Sequence, residues 1–576
     1  MRGSARGLVR SWLVLVLCVL ALFAAGCDST TTNVPKVQVA PDAQQVLRTA
    51  LVLGAGAKDI KSLDPAVPPD TATVGVLSMI FPGLVALNAR QQIVPWATDS
   101  LPDVSSDGKS YTFHIRTGIQ WSDGTPITAA TFAYSINRAL SPCTASPANY
   151  FLFGIKDAQA FYSNGRCSSD GVTVQGSLKT LIGDSLLTPD PQTLTIVLAQ
   201  PAAYFLETLC FPVSYAVPSQ LVQKYGKSWT QHLADGQGFG GNMYKVTKWP
   251  HDGTLTLERN EKFWGVRPKL REVDFKVFDS STNEYKAYQA GTEDVGYAPA
   301  SLYTAAKTLP DFHEIGVLDL YYLGLNWNRA PFNDPIGRQA FALAIDKKAL
   351  ADTVLHGTTI ATNHIVPQGM PGYNDALKGP DGTTNLAGNI PAAQQAAQSY
   401  AAKNCSGKLS KCPRVVLTIP KGRQDLTNVA QAMLAAWKQA LPGWQISITT
   451  VDLNTLFGQL AARQTQFWLL DWFADYPDPQ DWLSLQFLTG SANNNGNVSV
   501  DAANPLLQRA DAEQDAVQRM KDYNAAEQLL VANVAWIPLY QAKLWWETPN
   551  YVSGFSIGVM AQTPPDVWQT AYIIKH

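Results

Sequence analysis

The chain has 576 residues, a formal net charge of −2, 46% hydrophobic residues and 16% charged residues. A chain of this length is too long to fold around a single hydrophobic core, so we expect at least two cores and more than one lobe. The near-neutral charge, with no block of lysine and arginine, excludes a cationic surface for nucleic acid.

The first 26 residues have the pattern of a signal peptide. Arg2, Arg6 and Arg10 precede an uncharged run over residues 12–23, which is too short to span a bilayer comfortably. The run ends in LFAAGC (22–27), which resembles the lipobox of bacterial lipoproteins and predicts that Cys27 carries the lipid. Residues 27–47 are predicted to be a flexible, lipid-anchored tether because they lack helical or strand periodicity.

Strand-like and helix-like patterns alternate after the tether, which predicts a mixed α/β architecture. Residues 110–116 and 254–259 alternate apolar and polar side chains, so both are predicted to be half-buried strands. Between them, Thr128 is predicted to cap a helix that runs to Leu140 with its apolar residues on one face.

The second half predicts another α/β lobe. Asp334 and Pro335 suit the start of a helix, and Gly357 is predicted to end it. Residues 414–419, 425–441 and 445–451 follow as strand, helix and strand, which predicts a parallel pair joined by a crossover.

The cysteines beyond the anchor predict two disulfides, because an exported chain can form them. Cys143 and Cys167 bracket one loop, and Cys405 and Cys412 bracket another, so pairing within each set is expected. Cys210 is then predicted to be a buried free thiol. Zinc ligation is the alternative, but no Cys-x-x-Cys or nearby histidine pair accompanies these residues.

Several segments resemble the large substrate-binding proteins of bacterial oligopeptide, dipeptide and nickel uptake systems, family 5 of the ABC-transporter solute-binding proteins. The segments are YTFHIR (111–116), WSDGTP (121–126), GNMYKV (241–246), LERN (257–260), PFND (331–334) and AID (344–346). Asn242 and Met243 depart from the glycine or alanine and the proline that are usual there. DWFADY (471–476) and the C-terminal YIIKH (572–576) are most similar to the oligopeptide-binding branch.

The resemblance implies a two-lobed periplasmic-binding-protein-like fold of type II, in its large form with three subdomains. Lobe I would comprise residues 48–313, with a subdomain at about 88–218, and lobe II residues 314–536. Residues 537–576 would return to lobe I. Crossing segments near 312–316 and 535–539 would form the hinge, with the ligand cleft between the lobes.

The resemblance also implies where the ligand binds. In peptide-binding relatives an aspartate at the position of Asp475 pairs with the free amino terminus of the ligand, and a buried amine needs such a counter-charge. Trp472 would line a side-chain pocket, and the backbones of Asp471 and Phe473 would hydrogen-bond the peptide as a strand does. The further candidates are Tyr476, Asn326 and Tyr297. The structural alternative for Asp475 is a loop carboxylate that caps the following helix.

The predicted function is capture of short peptides by a monomeric, lipid-anchored protein on the extracytoplasmic face of the cell membrane. The closed form would deliver its ligand to the transmembrane subunits of an ABC permease. Separate ATPase subunits would supply the energy, because the sequence has no G-x-x-x-x-G-K-[ST] loop.

Three alternatives remain open. The same fold could bind an oligosaccharide, a nickel complex or a cell-wall peptide, and an adhesive lipoprotein would not close on a ligand at all. Asp475, Asp478 and Asp481 form an acidic cluster that a glycosidase or a divalent metal could use. No calcium-loop, zinc-protease or serine-hydrolase motif accompanies them, so we expect no catalysis, no metal and no cofactor.

Overall fold

The structure is a computed structural model that describes residues 38–54, 56–68 and 70–576. The predicted signal peptide, Cys27 and residues 28–37 of the tether lie outside these ranges. Within the ranges, no helix combines the length and the apolar character needed to cross a bilayer.

The strands fall into two groups along the described chain. The first group is β1 Val46–Val52, β2 Val85–Leu87, β3 Ile93–Pro95, β4 Asp103–Val104, β5 Ser110–His114, β6 Arg166–Cys167, β7 Val174–Gln175, β8 Leu186–Asp190, β9 Thr193–Val197, β10 Tyr244–Lys248, β11 Thr254–Arg259 and β12 Glu272–Phe278. The second group is β13 Phe312–Leu325, β14 Thr359–Ala361, β15 Val415–Pro420, β16 Ile446–Val451, β17 Phe467–Phe473, β18 Trp536–Glu547, β19 Val552–Ser553 and β20 Tyr572–Ile573.

The helices also fall into two groups along the described chain. The first group is α1 Thr71–Ile80, α2 Ala129–Ala139, α3 Ala158–Asn164, α4 Phe205–Thr208, α5 Ser219–Tyr225, α6 Ser281–Gln289 and α7 Tyr303–Ala306. The second group is α8 Pro335–Leu343, α9 Lys347–Ala349, α10 Ile390–Asn404, α11 Gln424–Ala440, α12 Leu453–Ala461, α13 Pro479–Trp482, α14 Ser484–Phe487, α15 Asn504–Ala512, α16 Ala516–Ala532 and α17 Pro565–Thr570.

Lobe I contains two four-stranded sheets, with strand orders β1-β12-β11-β10 and β4-β5-β9-β8. The predicted strands at β5 and β11 and the predicted helix at α2 are confirmed, although β5 ends at His114. Thr128 is the N-cap residue of α2. One continuous core, which includes Trp121, Phe132 and Trp229, packs between the elements of this lobe.

Lobe II is built on one six-stranded mixed sheet with the order β14-β18-β13-β17-β15-β16. The predicted parallel pair is confirmed, since β15 and β16 are in parallel register and α11 connects them. Leu323 and Leu325 of β13 enter the core on one face, whereas Leu318 and Leu320 enter the core on the other face. Burial on both faces explains the nearly continuous apolar character of the central strands.

Two long strands, β13 and β18, connect the lobes. Their antiparallel register is interrupted between Gly316 and Leu320, opposite Gln541 and Lys543. The first predicted crossing, 312–316, adjoins this break. The second, 535–539, lies at the start of β18, where Leu539 packs in the same core as Leu323 and Leu325.

The C-terminal residues rejoin lobe I. Trp546, Trp568 and Ile573 lie in the core of lobe I. The Gln45 side chain donates to the Ile573 carbonyl (2.9 Å) and accepts from the Ile573 N–H (2.8 Å), which ties the end of the chain to its beginning.

The helix that begins after Asp334 is shorter than predicted. Asp334 accepts from the Ile336 N–H (3.0 Å) and Pro335 occupies the first turn, but α8 ends at Leu343. Asp346 caps the separate helix α9 by accepting from the Ala349 N–H (2.7 Å), so the predicted continuous helix to Gly357 is wrong. A second capping carboxylate starts a new helix more readily than it continues an old one.

Both predicted disulfides are present in the structure, Cys143 with Cys167 and Cys405 with Cys412. Cys210 is unpaired, and it is half-buried rather than fully enclosed. Its Sγ donates weakly to the Leu206 carbonyl (3.5 Å).

Candidate functional site

Asp475 lies in the loop between β17 and α13. Asp478, rather than Asp475, caps α13 by accepting from the Gln480 N–H (2.9 Å). The backbone N–H of Asp475 donates to Asp481 Oδ2 (3.0 Å), which fixes the loop and leaves the Asp475 carboxylate available. The capping alternative for Asp475 therefore does not describe this loop.

The two lobes meet at this loop. The hydroxyl of Tyr150 in lobe I donates to Asp475 Oδ2 (2.9 Å). Beside it, Tyr476 stacks on Tyr204 of lobe I, with ring centroids 6.1 Å apart, and meets Phe151 edge-on at 5.9 Å. The Asp475 carboxylate is thus held at the junction of the lobes, where a ligand would touch both.

A cavity of about 70 Å³ opens beside Asp475. Lobe I, lobe II and the C-terminal segment all contribute to its wall, which includes Glu207, Cys210, Phe211, Tyr215, Asp475, Tyr476, Pro477, Met560, Gln562 and Thr563. This space holds several water molecules or the end of a side chain.

Carboxylates outnumber cations around this junction. The charge of Asp478 perturbs the ionisation of Glu207, Asp481 and Asp511, and the charge of Asp475 perturbs that of Asp481. Only Asp478 among them has a cationic partner in the described residues, through two contacts of 2.6 Å with the guanidinium of Arg519. A positively charged ligand would reduce this excess of negative charge.

Burial raises the pKa of four of these carboxyl groups. It raises the pKa of Asp475 to about 6, although the Tyr150 hydroxyl opposes the shift, and it raises the pKa of Asp511 to about 6. Burial and then the charge of Asp475 hold the pKa of Asp481 well above its usual range. Burial and the neighbouring Asp478 raise the pKa of Glu207 to about 8.

The end of β17 has a free edge next to Asp475. β17 pairs with β13 along its whole length, but with β15 only at Phe467 and Trp468. Among the described strands, none pairs with the other edge of residues 469–473. This edge can accept main-chain hydrogen bonds from an extended chain.

The other predicted residues on β17 are half-buried. The Trp472 indole N–H donates to Asp481 Oδ2 (3.1 Å), so the same carboxylate positions Trp472 and the Asp475 backbone. Asp471 lies 3.5 Å from the Arg423 guanidinium, which supplies it with a counter-charge. Phe473 completes the strand beside the hinge strand β13.

Asn326 and Tyr297 lie apart from Asp475. Asn326 is 1% exposed, and its amide group donates to the Arg463 and Thr465 carbonyls (3.0 and 3.1 Å), so its hydrogen-bonding capacity is used within lobe II. Tyr297 lines a second, mostly apolar cavity of about 310 Å³ in lobe I, together with Phe275 and Trp568. Tyr476 is buried beside Asp475, and its hydroxyl donates to Gln480.

Sequence reasoning missed Tyr150 and Glu207. Tyr150 follows the TASP segment (144–147), and its contact with Asp475 spans 325 positions. Glu207 is the one charged residue in the apolar run FLETLCF (205–211), and an acidic residue in such a run is the signal that could have identified it.

The described residues contain no group of three histidine, cysteine, aspartate or glutamate side chains arranged to hold a metal ion.

The sequence and fold match known proteins. A family model described as "Bacterial extracellular solute-binding proteins, family 5 Middle" matches residues 92–494. The oligopeptide-binding protein OppA of Bacillus subtilis (strain 168) is 26% identical over 521 residues, which cover 89% of this chain and 90% of OppA. The probable deoxycholate-binding periplasmic protein YgiS of Escherichia coli (strain K12) is 28% identical over 550 residues, 95% and 96% of the two chains.

Among solved structures, the periplasmic murein tripeptide binding protein MppA in its unliganded open form superposes with a TM-score of 0.76. Its sequence is 24% identical, and the match covers 94% of this chain and 99% of MppA, so the likeness establishes the shared two-lobed fold. The family model spans most of the chain. The chain therefore belongs to the bacterial extracellular solute-binding proteins of family 5, and it is a binding protein rather than an enzyme.

Proposed function

We propose that this protein captures short peptides between its two lobes and delivers them to the permease of an ABC importer. The Asp475 carboxylate binds the free amino terminus of the peptide. Relatives named for oligopeptide and dipeptide binding support the ligand class.

One observation carries the proposal. Asp475 faces a cavity between the lobes, and its carboxylate has the Tyr150 hydroxyl but no cation as a partner among the described residues. An ionised carboxylate in a poorly solvated cleft is unfavourable until a positive group enters. A peptide amine supplies that group and touches both lobes, so it favours the closed form.

The neighbouring residues suit the rest of a peptide. The free edge of β17 at Asp471 and Phe473 offers main-chain hydrogen bonds that do not depend on the ligand's sequence. Trp472, held by Asp481, would line a pocket for one side chain. Broad specificity among short peptides follows from this arrangement.

The proposal includes the position of the protein in the cell. Lipid attached to Cys27 would hold the protein, as a monomer, on the extracytoplasmic face of the membrane, and the tether over residues 27–47 would let it reach the permease. Lobe I would span residues 48–313 and lobe II residues 314–536, and residues 537–576 would return to lobe I.

Calorimetric titration of the detergent-solubilised full chain tests the ligand class. The protein is first unfolded and refolded to remove bound molecules, which mass spectrometry identifies. We expect Ala-Ala-Ala to bind, and N-acetyl-Ala-Ala-Ala to bind at least tenfold more weakly, because acetylation removes the charge that Asp475 meets. Equal affinities would refute amine recognition.

A second ligand class has one observation in its favour. The cavity of about 310 Å³ at Tyr297 is mostly apolar, and YgiS, which is 28% identical, is named for deoxycholate. Titration with deoxycholate in the same series separates the two classes, since the peptide proposal expects no saturable binding.

A further inference from the structure

Glu207 is a second carboxylate at the cavity that Asp475 faces. It lies on α4 in lobe I, whereas Asp475 lies in lobe II, and both acids line the cavity. Oε2 of Glu207 is buried and has no hydrogen-bond partner. A buried polar atom without a partner is rare and calls for a physical explanation.

The groups around Glu207 are already engaged with other partners. The Arg519 guanidinium makes its two short contacts with Asp478 rather than with Glu207. The hydroxyls of Tyr111 and Tyr215 donate to backbone carbonyls, at 2.9 and 2.7 Å. No cation among the described residues lies within ion-pair distance of Glu207, so its carboxylate is available to a ligand.

We infer that Glu207 and Asp475 together form a receptor for two positive charges on one terminal residue. The preferred ligands are peptides whose first residue has a cationic side chain, such as lysine, arginine or ornithine. Asp475 binds the α-amine, and Glu207 binds the side-chain cation. This inference rests on the proposed function.

The cavity that the two acids line can accept the end of such a side chain. Its wall includes Val74, Phe211 and Tyr215, which can pack against the methylene groups of a lysine side chain while the ammonium group reaches Glu207. A norleucine residue would fill the same space but leave the Glu207 carboxylate without a partner, which is the less favourable outcome.

The ionisation of Glu207 supports the inference. With a pKa of about 8 it is largely protonated at pH 7, and an entering cation would favour its charged form and release a proton. The charged and titratable groups around it are Asp478, Arg519, Cys210, Tyr111 and, across the cavity, Asp475. Of these, only Arg519 favours the ionised carboxylate.

Calorimetry with three peptides on the refolded full chain tests the inference. Lys-Ala-Ala should bind at least tenfold more tightly than norleucyl-Ala-Ala, which keeps the carbon chain without the charge. Ala-Ala-Lys, with the charge at the other end, should show no such gain. In Glu207→Gln the preference should fall to about twofold or less, while norleucyl-Ala-Ala retains its affinity.

The control is Glu258→Gln in lobe I, because Glu258 lies on β11 and lines neither cavity. It should keep the preference of the unsubstituted protein. If Glu207→Gln does not fold, titrations of the unsubstituted protein in phosphate and in Tris at pH 7 replace it, and Lys-Ala-Ala should release about one proton more than norleucyl-Ala-Ala.

The outcomes separate this inference from the proposed function. The second carboxylate site is overturned if the unsubstituted protein binds Lys-Ala-Ala and norleucyl-Ala-Ala with equal affinity. It is also overturned if Glu207→Gln keeps the preference for Lys-Ala-Ala. Either result leaves peptide capture intact. Failure of all three peptides to bind at millimolar concentration overturns both.

Discussion

Replacing Asp475 by asparagine should weaken peptide binding about a hundredfold. Two unit charges 3 Å apart at an effective dielectric constant of about 20 attract by roughly 5 kcal/mol, and desolvation of the amine offsets part of this. The asparagine still offers an amide oxygen to the ligand, so we expect a net loss of about 3 kcal/mol, which corresponds to about two orders of magnitude in Kd. The Tyr150 hydroxyl, at 2.9 Å, can still donate to that oxygen.

The assay is isothermal titration of Ala-Ala-Ala at pH 7.5 and 25 °C. The matched control is Asp501→Asn, which changes an exposed aspartate in lobe II and should leave the Kd unchanged. Because the lost interaction is with the amine, Asp475→Asn should bind Ala-Ala-Ala and N-acetyl-Ala-Ala-Ala about equally. A Kd within threefold of the unsubstituted protein's value would refute amine recognition by Asp475.

Three further predictions follow from the same contacts. The Kd for Ala-Ala-Ala should rise roughly tenfold from pH 7 to pH 5, because binding needs ionised Asp475. The pKa of Asp475 is about 6, so the ionised, binding form is present above that pH and lost below it. A flat pH profile in calorimetry would contradict this, and Asp475→Asn should remove the pH dependence. Tyr150→Phe should weaken binding of Ala-Ala-Ala about three- to tenfold at pH 7 and move the midpoint of the pH profile upward. The reason is that the Tyr150 hydroxyl stabilises the ionised carboxylate of Asp475. An unmoved midpoint would count against that contact. Arg519→Met should destabilise the protein by about 3–5 kcal/mol, because it leaves the buried Asp478 without its partner. The control Lys348→Met, in an exposed ion pair, should change the calorimetric Tm little. Equal effects of the two substitutions on Tm would contradict the reasoning.

Much of the fold could be predicted from local pattern. The strand, helix and strand at 415–451 were predicted because apolar periodicity and length are properties of a short segment. The break between α8 and α9 was not predicted, since Phe341, Ile345 and Leu350 continue the helical spacing across it. There the capping carboxylate of Asp346 outweighs the apolar period.

The residues of the candidate site could also be predicted only in part from the sequence. Asp475 was predicted through the resemblance of DWFADY, and Asp478 rather than Asp475 proved to be the helix cap. Asn326 was predicted as a ligand-binding candidate, but its burial could not be read from sequence. Its hydrogen-bond partners, Arg463 and Thr465, lie more than a hundred positions away.

The sequence by itself predicted the α/β class, the disulfide pairs and the family resemblance, because each depends on short segments or on composition. Only the tertiary structure decided that Glu207 and Asp475 line one cavity and that Tyr150 donates a hydrogen bond to Asp475. Their approach depends on how two lobes with separate cores pack at the hinge, and that packing is a sum of contacts between residues hundreds of positions apart.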